Sequence, residues 1–401
     1  MFDGLPPLGL YIHLPWCQQK CPYCDFNSHV AQNMDERSYV DTLLDDLTQD
    51  IPLIWGRRIE TIFIGGGTPS LFSGAAIDRL LSGLRALLNF APAIEITIES
   101  NPGSADAANF RDYRQAGINR LSIGVQSFNH HHLTSLGRIH SGEDASQAYT
   151  IARDAGFDNI NLDLMYGLPD QSTAEALADL NQAIALQPEH ISHYQLTIEP
   201  NTLFHHAQPP GMPDDELSWE QQVACQSLLE ENGYHHYEIS AWSRAGKAEL
   251  HNLNYWQFGD YLGIGAGAHG KISLPAEHRV IRRVRIRQPQ AYLQRKGFER
   301  IASESTLSDA DLVFEFMLNA TRLQQGFELR LFQANTGIPV DVLRAALKPA
   351  LDKGFVDIAG QRIVPTALGF RFLNDFQTLF LDIGSRINRP FFEFRPEIIH
   401  S

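Results

Sequence analysis

Three of the four cysteines of this chain fall within eight residues, as Cys17-Gln-Gln-Lys-Cys21-Pro-Tyr23-Cys24. Thiolates at C-x3-C-x2-C spacing can converge on one metal centre. An iron–sulfur cluster of the [4Fe–4S] type usually takes four cysteines, so three leave one iron open to another ligand. A structural zinc site normally needs four Cys or His ligands, and His13 or His29 could complete such a set. Disulfides do not fit, because three crowded cysteines cannot all pair. Buried thiols that ligate nothing are the remaining reading, and free cysteines rarely cluster this tightly. The fourth, Cys225, lies inside a helical pattern over 214–232 that Gly233 closes. Between Val223 and Leu228 it reads as a small core residue and not a ligand.

Around this array the first half of the chain alternates two kinds of pattern. Apolar, β-rich runs over 8–14, 61–65, 94–99, 121–126, 160–165 and 191–196 predict strands. Helical patterns lie between them, over 35–50, 75–89, 105–116, 143–155 and 173–186. Strand–helix alternation implies βαβ units and a parallel sheet. Six units predict an open or partial barrel, with ligands at the C-terminal ends of the strands. A chain of 401 residues has room for a second, smaller domain.

Composition narrows the class of protein. With 43% hydrophobic and 20% charged residues the chain reads as globular. No run approaches the roughly 18 apolar residues of a membrane span, and the N-terminus lacks a signal-peptide pattern. The expectation is a cytoplasmic protein with reduced cysteines and no membrane anchor. A net charge of −15 opposes nucleic-acid binding.

Polar words stand at the predicted strand ends. Gly65-Gly-Gly-Thr-Pro-Ser70 can leave backbone amides free for a carboxylate or phosphate, although a plain tight turn would use the same residues. Glu99, in Ile96-Thr-Ile-Glu-Ser-Asn-Pro-Gly103, ends the third strand, and Gln126 ends the fourth. Arg138 follows on a loop, and Asp163 interrupts an apolar strand. Singly, each of these could cap a helix or bond backbone. Together they suit a ligand that carries ammonium, carboxylate and ribose hydroxyl groups.

These words resemble the coproporphyrinogen III oxidase-like radical S-adenosylmethionine (SAM) proteins, the HemN/HemW group, from about residue 8 to about 381. The resemblance implies a partial (β/α)6 radical SAM barrel. Cys17, Cys21 and Cys24 would hold three irons of a [4Fe–4S] cluster, with SAM on the fourth. Tyr11, Tyr23, Gly66, Gly67, Thr68, Glu99, Gln126, Arg138 and Asp163 would contact SAM. Where the oxidase has a further cysteine two residues beyond the array, this chain has Phe26, and only ten residues precede Tyr11 in place of a long arm. Both features resemble the haem-chaperone branch of the group.

His251-Asn-Leu-Asn-Tyr255-Trp256 supplies the next word. From chemistry alone His251 reads first as a hydrogen-bonded structural histidine. Histidine among aromatics can also ligate haem and stack on it. In the chaperone branch the H-N-x-x-Y-W word is associated with haem, so the resemblance assigns His251, Tyr255 and Trp256 to haem as cargo. It further implies acceptor proteins of respiration, transient membrane contact and self-association as a homodimer. It leaves open whether SAM is cleaved, and hence whether the chain is an enzyme. Productive oxidation of coproporphyrinogen III is the alternative.

The adjacent histidines at 130–132, 205–206 and 235–236 read mostly as solvated. Arg283, Arg285 and Arg287 alternate, so one strand face would carry all three. That face reads as a solvated edge strand, or as a partner for haem propionates or an acidic surface. Helical patterns over 309–323, 329–334 and 340–351 precede a hairpin that turns at Ala359-Gly360. They predict a winged-helix-like α+β domain. Such modules often bind DNA, but this segment is slightly acidic, which opposes that use. The expected divisions are a barrel with its cluster loop over 1–240, a linking region over 241–302, the C-terminal domain over 303–382 and a tail over 383–401.

Overall fold

A computed structural model describes residues 4–31, 34–103 and 107–381. The expected tail, 383–401, lies outside the described residues.

Twelve strands form one large sheet. They are β1 (Leu8–Leu14), β2 (Arg58–Gly66), β3 (Asn89–Ser100), β4 (Arg120–Gln126), β5 (Ile160–Tyr166), β6 (His190–Gln195), β7 (His235–Glu238), β8 (Ala241–Ser243), β9 (Asp260–Ile264), β10 (His269–Leu274), β11 (Arg279–Arg285) and β12 (Ile301–Thr306). Their spatial order is β12-β11-β10-β9-β1-β2-β3-β4-β5-β6-β8-β7. Strands β1 to β6 run parallel in sequence order, as the βαβ pattern predicts.

Strand alternation sorts the residues. On β1, Leu8, Leu10, Ile12 and Leu14 join the core under helix α1 (Glu36–Thr48), packing with Tyr39, Val40, Leu43 and Leu47. The alternate residues, Gly9, Tyr11 and His13, face the other way. The same alternation brings Thr61, Glu99, Ser122, Asp163 and Tyr194 to one concave, polar side. Helices start where serine can cap them: Ser141 and Ser172 each form a capping box, with Asp144 and Glu175.

The region expected to link two domains extends the sheet. Strand β9 adds in parallel to the free edge of β1, pairing Tyr11 with Gly263, and β10 to β12 continue antiparallel. A buried charge network ties this region together. Asp260 of β9 is fully buried and binds Lys271, Arg57 and Ser273.

The basic strand is not a solvated edge. β11 is internal, and β12 takes the edge. Arg285 is 1% exposed, with Nε 2.9 Å from Asp46 and Nη2 2.7 Å from Asp50. Arg283 binds Asp50 and Glu304, so the charges are matched inside the chain and not held for a ligand. Arg287 falls beyond the strand. Among the histidine runs, His132 is buried and His236 stacks on Trp242 at 4.1 Å, while His205 and His206 are exposed.

The C-terminal unit has its own core. Phe316, Phe332, Leu347, Val356 and Ile363 cluster there, joined by Phe258 and Val280 from the sheet region. Its helices are Asp309–Ala320, Leu329–Thr336 and Val340–Asp352, with two short ones at Ala367–Arg371 and Leu373–Thr378. The expected hairpin forms from Val356–Ala359 and Arg362–Pro365, and Phe327–Glu328 adds a third strand. No helix among the described residues is long and apolar enough to cross a membrane.

Candidate functional site

The cysteine loop leaves the end of β1 and folds over the parallel sheet. Two short strands, Trp16–Cys17 and His29–Val30, close its base. Cys17 is buried, and Cys21 and Cys24 are half-buried. Burial pushes the Cys17 thiol up and the Cys24 thiol up to about 11, each raised further by its cysteine neighbours. Thiols in such a place need nearby positive charge to ionise. The buried Ser28 hydroxyl faces the Cys17 and Cys24 thiols. This donor set fits an iron–sulfur group.

His13 is not free to complete a zinc set. Both ring nitrogens of His13 are engaged, Nδ1 with Tyr11 Oη and Nε2 with the Asn27 carbonyl, each at 2.9 Å. Among the described residues no three His, Cys, Asp or Glu side chains are grouped to hold a single ion. A [4Fe–4S] cluster needs no such convergence, because each thiolate bonds a different iron.

The glycine loop docks this segment. Gly67 N donates to Leu14 O at 2.9 Å and Thr68 N to Trp16 O at 2.7 Å. A Cβ on Gly67 would stand 2.5 Å from the Trp16 carbonyl oxygen, so close backbone approach explains the glycine. Thr68 then lies against the Cys17 thiol. Asn101 Nδ2 donates to Thr68 Oγ1 at 3.1 Å, and Asn101 Oδ1 accepts from Arg138 Nη2 at 2.8 Å. Arg138 also reaches Gly124 O at 2.8 Å and Cys21 Sγ at 3.6 Å.

Two carboxylates share the concave side of the strand ends. Glu99 accepts from Gly66 N at 3.0 Å. Burial, and then repulsion from Asp163, pushes Glu99 up to about 8. Asp163 is raised by burial, although Asn161 and Ser122 donate to it at 2.8 and 3.1 Å. Such a pair fits a ligand that brings an ammonium group. Gln126 sits at a bulge between β4 and β5 with φ +69°, a conformation rare outside glycine. Its Oε1 accepts from Tyr194 Oη at 2.9 Å. Tyr23 leaves the loop to pack on Phe204, 6.3 Å between ring centres.

Of the nine residues expected around SAM, Tyr23, Gly66, Gly67, Thr68, Glu99, Gln126 and Arg138 stand on loops or at strand ends, and Tyr11 and Asp163 lie within their strands. Asn101 and Tyr194 are additions. Asn101 was visible two residues after Glu99, and Tyr194 follows from inward alternation along β6.

His251 has a different setting. Helix Leu250–Trp256 packs against β1 and β2 near their starts. His251 is 1% exposed, with Nδ1 2.8 Å from Thr61 Oγ1 and Nε2 2.9 Å from Tyr255 Oη. Burial lowers its pKa to about 3. Its ring stacks on Phe63 at 5.4 Å, and Phe63 stacks on Tyr11 at 6.3 Å. Tyr255 is turned against Tyr261, and Trp256 lies under Arg322 at 4.2 Å. A line of rings thus runs from His251 through Phe63 and Tyr11 to His13, which bonds the cysteine loop at Asn27.

Comparison with known proteins agrees with this geometry. The Radical SAM superfamily profile matches residues 11–183, and the HemN C-terminal domain profile matches 307–372. The protein named "Heme chaperone HemW" of Escherichia coli (strain K12) is 49% identical over 94% of this chain and 99% of its own length. Its Haemophilus influenzae namesake is 45% identical over 94% and 98%, and that of Bacillus subtilis 34% over 86% and 92%. Among solved structures, coproporphyrinogen III oxidase (HemN) from Escherichia coli superposes with a TM-score of 0.78, at 23% identity over 94% of this chain and 90% of that one. At that identity the likeness speaks for the fold alone. The chain belongs to the HemW family of the radical SAM superfamily, with the α/β fold that HemN shares and a HemN-type C-terminal domain.

Proposed function

We propose that this protein is a cytoplasmic haem chaperone, binding haem and passing it to haem-requiring proteins, among them respiratory enzymes. The observation that carries the reading is the 49% identity, along 94% of the chain, to a protein named as a haem chaperone. Phe26, at the place of the oxidase's additional cysteine, supports it.

In this reading Cys17, Cys21 and Cys24 hold a [4Fe–4S] cluster. SAM lies among Tyr11, Tyr23, Gly66, Gly67, Thr68, Glu99, Gln126, Arg138 and Asp163. Cluster and SAM together supply one-electron reductive chemistry when bound. The chain's residues do the rest. Glu99 and Asp163 receive a positively charged group, Arg138 donates to the Cys21 sulfur, and Asn101 fixes Arg138 against Thr68. His251, Tyr255 and Trp256 are assigned to haem; without cargo, both His251 nitrogens have partners inside the fold.

The deciding experiment is anaerobic reconstitution, haem titration and transfer to an apo-haem protein. Saturable haem binding and transfer are expected, with coproporphyrinogen III left unchanged. Absence of haem binding with and without the cluster would overturn the chaperone reading. Efficient decarboxylation of coproporphyrinogen III would restore the oxidase alternative.

A further inference from the structure

Asp163 faces the concave side of the sheet from within β5, and residues of three strands hold it there. Register sets Ser122 of β4, Asn161 of β5 and His190 of β6 in one row, two residues along each strand from the row of Asp163 and Ser192. Ser122, Asn161 and His190 are all buried. Asn161 is the centre of this row. Its Nδ2 donates to Asp163 Oδ1 and to Ser122 Oγ, each at 2.8 Å, and Ser122 Oγ donates on to Asp163 Oδ2 at 3.1 Å. The Ser192 backbone N–H, which can only donate, lies 3.0 Å from Asn161 Oδ1. That contact fixes which end of the amide faces the carboxylate.

The histidine is fixed in the same way. His190 Nδ1 is 2.6 Å from Asn161 Oδ1, an atom that only accepts, so Nδ1 carries the proton. Burial, and then the Arg120 charge, push His190 well below the usual histidine range and leave the ring neutral. Its Nε2 therefore accepts, from Tyr237 Oη at 2.8 Å, and Tyr237 Oη in turn accepts from Glu249 N at 3.4 Å. The donors in series all point one way, from Glu249 N–H through Tyr237, His190 and Asn161 to Asp163. Aligned donors polarise one another, and their joint effect falls on the last acceptor.

We propose that His190 and Asn161 are positioning residues for SAM: through the fixed Asn161 amide, the Nδ1–H tautomer of His190 holds Asp163 in the orientation that receives the ligand. This role rests on the reading that Asp163 contacts SAM. Neither residue touches the ligand itself; each acts through the carboxylate.

The test is calorimetric SAM titration of the full chain, reconstituted anaerobically, with iron content and melting temperature recorded for every variant. The amide nitrogen of Asn can take the place of His Nδ1, and that of Gln the place of Nε2. His190→Asn should therefore keep nearly wild-type affinity, because Asn161 Oδ1 retains its donor. His190→Gln should bind SAM about tenfold more weakly, with iron content unchanged. Asn161→Ser alters the next link without touching the histidine and should give a similar loss. In an Asp163→Asn background His190→Gln should cost no further affinity, because it acts through Asp163. Wild-type affinity in His190→Gln, weaker binding in His190→Asn than in His190→Gln, or an undiminished penalty in the Asp163→Asn background would overturn the positioning role. Absence of SAM binding by wild type, or wild-type affinity in Asp163→Asn alone, would overturn the reading of the SAM site itself.

Discussion

Arg138 Nη1 stands 3.6 Å from Cys21 Sγ, so a guanidinium donates to one of the three clustered thiols. A donor and a positive charge beside a cluster sulfur stabilise the reduced state. Losing a charge-assisted hydrogen bond costs about 1.5 kcal/mol. For a one-electron couple that is roughly 60 mV. Arg138→Gln is expected to lower the cluster's reduction potential by about that amount. Asn101→Ala should lower it less, because Arg138 keeps its Gly124 contact. Redox titration followed by electron paramagnetic resonance reads both, and an unchanged potential in Arg138→Gln would refute the role.

Tyr194→Phe tests Gln126. The tyrosine hydroxyl holds a side chain whose backbone is already in an uncommon conformation. Without it the amide is free to turn. SAM affinity should fall several-fold by calorimetry, while iron content stays that of wild type. Loss of iron instead would mean that Tyr194 supports the loop and not the ligand.

Gly67→Ala should displace the cysteine loop. The new methyl would meet the Trp16 carbonyl, a backbone atom that cannot swing away. A cost of about 1–3 kcal/mol is expected for such overpacking. Reconstituted iron should drop together with the melting temperature. Cys225→Ala, deep in the core, should lower stability and leave iron unchanged.

His251→Ala removes a ring bonded at both nitrogens and leaves Thr61 and Tyr255 with lost partners. The expected loss is about 2–4 kcal/mol of stability. Chemical denaturation, with the C-terminal unit followed separately, measures it. A near-neutral result would contradict the supporting role.

The pH dependence of stability in the metal-free chain follows from opposite shifts. Burial lowers His13 and His140 to about 4 and His193 and His251 to about 3. The unfolded chain binds these protons near pH 6.5, so stability falls as pH drops from there toward 4. Glu99 and Glu249 are raised by burial to about 8 and about 7. Unfolding releases their protons, so stability also falls as pH rises from about 4.5 to 8. Below 6.5 the four histidines outweigh the two glutamates, and above it only the glutamates act. Melting temperature should therefore peak near pH 6.5. A peak above pH 8 would contradict the burial of both carboxyls.

Much of this architecture was legible because strand and helix periods are local. The six runs read as strands are β1 to β6, each within a few residues of its predicted span. Gly65-Gly-Gly-Thr-Pro and Glu99 were legible as strand-end words, because a βα unit exposes its ligand-facing groups there. Cys225 reads as core from its neighbours alone, and it is core.

The basic strand and the partners of the histidine word were not legible. Arg283 and Arg285 look solvated in sequence, since a strand's neighbours are chosen by pairing between distant segments. Only the tertiary fold brings Asp46 and Asp50 of the α1 region onto them. The region over 241–302 reads as a link, because nothing local states that β9 will add to the open edge of β1. His251 carries a functional word, yet its partners Thr61 and Phe63 lie nearly two hundred residues away in sequence. Sequence determined which groups could meet a cluster and its ligand, through residue type and short-range spacing. Tertiary structure decided which of them are free to do so, because burial and hydrogen-bond partners are properties of the folded neighbourhood and not of the residue.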